Sequence, residues 1–84
     1  MITKQKIDIY QKYKDIDNFS RCGSIIERNI LKDADWILID SLIQDIHLLK
    51  NNLVSSKMKE EIESRINEYT EGNNELIQKL FLIK

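Results

Sequence analysis

Eighty-four residues pass without a single proline, and glycine stands only at Gly23 and Gly72. These two residue types are the strongest breakers of regular backbone, so a chain almost free of them follows its apolar pattern with few interruptions. Here apolar residues recur at intervals of three and four, and no stretch sustains the alternation of a strand. The pattern predicts an all-α fold: a small bundle of four to five short helices, one domain over residues 1–84, with a central helix at about 35–51.

Composition then narrows the class. Apolar residues make up 42% of the chain, enough for a compact core. Thirteen Lys and Arg face fourteen Asp and Glu. A balance so near zero argues against direct binding of nucleic acid or of an anionic membrane, since both are read by excess positive charge. One cysteine excludes an internal disulfide. The apolar run from Trp36 to Ile39, which no other run exceeds, is far short of the roughly 20 residues that span a bilayer. Lys4, Lys6 and Asp8 interrupt the N-terminal segment, which therefore lacks the apolar stretch of a secretory signal. The expectation is a soluble, cytoplasmic chain. Abundant Ile, Lys and Asn, with a single Ala, fit an AT-rich bacterial or phage genome.

A first helix is expected over about 3–16, with Ile2, Ile7, Ile9, Tyr10, Tyr13 and Ile16 on one half of the wheel. Asp8 lies four residues from both Lys4 and Lys12, so local ion pairs are expected along the other half. The turn-forming residues of 17–23 read as a connection. Ser24-Ile25-Ile26-Glu27 is a capping box that opens a short second helix ending near Lys32. Asp33 and Asp35 offer carboxylates to start a third. On that central helix Trp36, Leu38, Ile39, Leu42, Ile43, Ile46, Leu49 and Leu53 form a broad apolar arc. A fourth helix begins near Lys57, with Met58, Ile62, Ile66 and Tyr69 inward. Gly72 predicts a break or kink before Glu75 to Ile83. The spacing of Met58, Ile62, Ile66, Tyr69, Asn73, Leu76, Leu80 and Ile83 also fits one continuous heptad seam.

Chains this short gain little net stability from their own core, because ordering and burial nearly cancel. Leu76, Ile77, Leu80, Phe81, Leu82 and Ile83 are apolar on every side. A homodimer joined through Leu76, Leu80, Phe81 and Ile83 is therefore expected.

Chemistry has few carriers. His47 is the only histidine, with Asp40 seven residues before it and no nucleophile nearby, so no catalytic residue is assigned. Cys22 stands beside Arg21 near a helix start, a setting that favours a thiolate, although a lone cysteine more often serves as a small hydrophobe. Asp33, Asp35 and Asp40 do not match a calcium loop, and neither a metal nor a cofactor is implied. Residues 33–54 carry four Asp against Lys50 alone, the wrong sign for a recognition helix on DNA.

Two surfaces remain. Arg21, Gly23, Ser24 and Arg28 could hold a phosphate-bearing ligand or nucleotide at a helix N-terminus, in competition with the capping box for the same amides. On the central helix Ile37 and Leu48 interrupt a polar arc that carries Asp33, Asp40, Gln44 and His47. Either another segment of the chain covers the two apolar residues, or they anchor a contact with another protein. The leading expectation is a non-enzymatic interaction module, a small inhibitor or regulator occluding a larger partner that bears a basic surface. A small oligomeric binder of a phosphate-bearing ligand is the alternative.

Overall fold

Helix starts in this chain are set largely by side chains that accept the first free amides. In the computed structural model, which describes residues 1–83, Thr3 caps α1 (Lys4–Tyr13) and Asp15 caps α2 (Ile16–Cys22). Ser24 caps α3 (Ile25–Ile30), with Glu27 returning to the Ser24 amide in the expected box. The Asp35 carboxylate accepts from the Lys32 amide at 3.1 Å at the head of α4 (Asp33–Lys50). Ser55 caps α5 (Ser56–Thr70), and Asn73 accepts from the amides of Glu75 and Leu76 to open α6 (Asn74–Leu82). Each such bond satisfies a donor that the first helical turn leaves free.

The architecture is all-helical, with six helices rather than four to five and no strand among the described residues. The additional helix is α2, where a connection was expected. Lys14 turns to a positive φ of 69° and ends α1. Asp15 then accepts from the Asn18 amide, while the Asn18 side chain donates to the Tyr13 carbonyl. The polar residues that read as a loop are thus the cap and outer face of a short helix whose Phe19 is buried. Gly23 ends it. A Cβ there would lie 2.6 Å from the Phe19 carbonyl oxygen and 2.9 Å from its ring.

The continuous heptad helix does not form. Glu71 and Gly72 both take left-handed backbone, φ 54° and 71°, and the Gly72 amide returns to the Asn67 carbonyl. Asn73 accordingly serves as a cap and not as a core position.

Trp36 ties the first half of the chain together. Its indole stacks on Phe19 at 5.2 Å between centroids and meets Tyr10 at 4.6 Å. Tyr13 closes the group against Phe19. Behind these rings Ile7, Ile39, Leu42, Ile46 and Leu80 are sealed from solvent. The salt bridges join helices that are distant in sequence. Asp8 pairs with Lys79 at 2.9 Å and Lys4 with Glu75 at 3.9 Å, in place of the local pairs expected on α1. Lys6 pairs with Asp35, and Arg65 reaches both Asp45 and Ser41. These pairings set α1, α4 and α6 running the same way and α5 against them.

Leu76, Leu80 and Ile83, expected to meet a second copy, are buried in this shared core, and Phe81 is half-buried beside it. Leu82, in the same segment, is 76% exposed, so its own chain covers the segment on one face only. Three of the four residues expected to join a homodimer are already buried within the chain. Leu53, expected on the apolar arc of α4, lies beyond the helix end and is exposed.

Candidate functional site

The outward face of α4 is defined by what the inward face uses. Trp36, Ile39, Leu42, Ile43 and Ile46 turn into the core. The opposite stripe holds Asp33, Ile37, Ser41, Gln44 and Leu48, within roughly 80° of one another at 100° per residue. From Ile37 to Leu48 it runs about 16 Å. Ile37 is 63% exposed one turn into it, with Asp33 and Gln44 also exposed.

The six residues expected to bind a partner are not all brought together. Asp33, Ile37, Gln44 and Leu48 share the stripe. Asp40 and His47 stand on the next stripe, toward α1. Asp40 is half-buried and accepts a hydrogen bond from the Tyr10 hydroxyl, so it holds α1 to α4 and is not an open acidic rim. Burial first, and then the hydrogen bond and charge of Asp40, push the Tyr10 hydroxyl above its usual range. His47 is exposed, and no hydrogen bond joins it to Asp40, whose carboxylate is engaged by Tyr10. The structure also separates the two apolar residues of the polar arc. Ile37 is left open, whereas Leu48 is half-buried at a hollow of about 240 Å³ that it shares with Asp45, Met58, Glu61, Ile62 and Arg65.

The expected anion site is occupied by its own chain. The Ser24 hydroxyl accepts from the Glu27 amide at 3.1 Å, and the Glu27 carboxylate accepts from the Ser24 amide at 3.1 Å. The same carboxylate takes the Tyr13 hydroxyl at 2.5 Å and Lys12 Nζ at 2.9 Å. Tyr13, Lys12 and the Ser24 amide together push the Glu27 carboxyl down to about 2. A carboxylate held ionised at neutral pH at that helix start opposes an anion, although Arg21 and Arg28 are exposed nearby. Gly23 is required by the close approach of Phe19, which needs no ligand to explain it. Cys22 is exposed and unpaired.

Two features of the surface were not anticipated. Ile25 and Ile26, read from sequence only as the middle of a capping box, are 71% and 73% exposed. Their signal was present in the length of the segment, because a six-residue helix packed on one neighbour has no second face to hide an adjacent pair. The Arg65 clamp on Asp45 and Ser41 joins α4 to α5 across 20 residues or more, and single-helix periodicity carries no sign of it.

No described helix is long and apolar enough to cross a membrane, and no described cluster of His, Cys, Asp or Glu has the grouping to hold a metal ion. Fold and surface together define a six-helix all-α chain with an open apolar anchor on its longest helix. Compared with known protein families, with curated proteins and with solved structures, the chain shows no match.

Proposed function

We propose that this chain is a non-enzymatic protein-interaction module, a small regulator or inhibitor that occludes a larger partner through the outward face of α4. The observation that supports this reading is Ile37. It is a β-branched apolar residue, open to solvent, on the longest and best-buttressed helix, flanked by Asp33 and Gln44. An apolar anchor inside a polar rim is the usual anatomy of a protein interface. The rim includes Asp33, and Glu61 lies at the α4–α5 hollow beyond Leu48, so a partner with a basic surface suits it.

Fully burying an isoleucine stabilises a complex by about 1.5–3 kcal/mol, or roughly tenfold or more in affinity. The test takes the protein captured by the wild-type chain from its native host and titrates it against Ile37→Asp and Asp33→Lys. Both variants are expected to keep the wild-type helical circular dichroism and to bind at least about tenfold more weakly for Ile37→Asp. Equal affinity for wild type and Ile37→Asp would remove this face from the function.

A further inference from the structure

Charge is sorted along this chain. The first 32 residues carry seven Lys and Arg against four Asp and Glu, and the remaining 52 carry six against ten. On the basic part, Ile25 and Ile26 stand side by side on α3, more exposed than Ile37. They are not the product of a fraying end. The capping box is formed, and Glu27 ties α3 to Tyr13 and Lys12 of α1. Arg28 on the same helix, and Arg21 and Lys32 just before and after it in the chain, are exposed and make no salt bridge among the described residues.

The acidic part offers the counterpart. The hollow between α4 and α5 presents Met58, 46% exposed, and half-buried Leu48. Glu61 lines it and is exposed, and the adjoining surface of α5 carries Glu60 and Glu68 with Lys57. The one cation in the wall of the hollow, Arg65, is already engaged by Asp45 at 2.8 Å. An apolar pair beside a cation and an apolar hollow beside a carboxylate, each unpaired among the described residues, thus occur on one molecule, on different helices.

We propose that a second copy of this chain covers the isoleucine pair, with Ile25 and Ile26 of one molecule seated in the α4–α5 hollow of the next and Arg28 facing Glu61. The contact joins two different surfaces, so each added copy leaves one patch and one hollow free, and association is open-ended rather than closed at a pair. It does not rest on the proposed role of Ile37, which lies outside both surfaces. Leu48 and Glu61 are the residues the hollow shares with the partner face.

Sedimentation of the full chain over a rising concentration series tests this. The mass of wild type is expected to climb from the 10.0 kDa of one chain without a plateau at two. It should fall back toward one chain in about 1 M salt, where screening shortens to roughly 3 Å. Ile26→Asp and Met58→Lys are each expected to stay at one chain. Their equimolar mixture should pair and stop at two, since each variant keeps the surface the other has lost. Both substitutions fall at exposed positions, and unchanged helical circular dichroism would confirm that each variant folds. A wild type that remains at one chain at the highest concentration, or stops at a symmetric dimer, overturns the proposal. So does a folded pair of variants that fails to combine.

Discussion

Glu27 shows how much can hang on one side chain. Its carboxylate closes the capping box of α3 and at the same time receives the Tyr13 hydroxyl and the Lys12 ammonium from α1. All three partners favour the ionised form, which is why its carboxyl lies near 2 rather than its ordinary 4.5. A group whose folded value is depressed contributes its stability above the unfolded value and loses it as pH falls through the folded one. The contribution of Glu27 should therefore be complete above about pH 4.5 and fade between there and about pH 2. In thermal melts across that window, wild type is expected to lose more of its midpoint than Glu27→Gln does. Equal slopes for the two proteins would show that the carboxylate does not hold α3 to α1. Only half of this role could be read in the sequence. The spacing from Ser24 marks the cap, whereas Tyr13 and Lys12 arrive from another helix and no local rule points to them.

At the scale of elements, what was legible was whatever a single helix decides for itself. The Ser24 box, the break near Gly72 and the arc of Trp36, Ile39, Leu42, Ile43 and Ile46 are local consequences of capping, backbone freedom and periodicity, and all three are present. What was not legible depends on neighbours. Asp17, Asn18 and Ser20 read as a loop because such residues compete with helix, yet Phe19 packing on Trp36 holds them in one. Ile37 and Leu48 looked equivalent on the wheel, and only the course of α5 separates them. The turn between α5 and α6 makes its own prediction. Glu71 is a non-glycine residue in left-handed backbone, a conformation costing about 1–2 kcal/mol, part of which glycine gives back through the freedom of its unfolded chain. Glu71→Gly is expected to stabilise the protein by somewhat less than about 1 kcal/mol. In a domain this small that is a rise of a few degrees in melting midpoint. A lower midpoint would mean that the Glu71 side chain matters more than its backbone.

For the molecule as a whole, the decisive fact is where α6 lies. Read alone, its apolar residues on every side called for a second chain. In the fold, α1, α4 and α5 cover Leu76, Leu80 and Ile83, with Lys79 and Glu75 fixed to Asp8 and Lys4 at the rim, and leave Leu82 exposed. Leu80 has no exposed surface. Truncating a buried leucine to alanine removes its burial and leaves a cavity, typically at a cost of about 2–5 kcal/mol. The whole domain should be stable by only about 4–13 kcal/mol, so Leu80→Ala is expected to forfeit a large share of it. If α6 is covered within the chain, that loss is the same when urea unfolding is followed at dilute and at concentrated protein. A burial completed by a second copy through α6 would instead couple the loss to mass action, and the penalty would grow with concentration. Any head-to-tail association through α3 leaves the comparison intact, because wild type and Leu80→Ala share those surfaces and both would shift together.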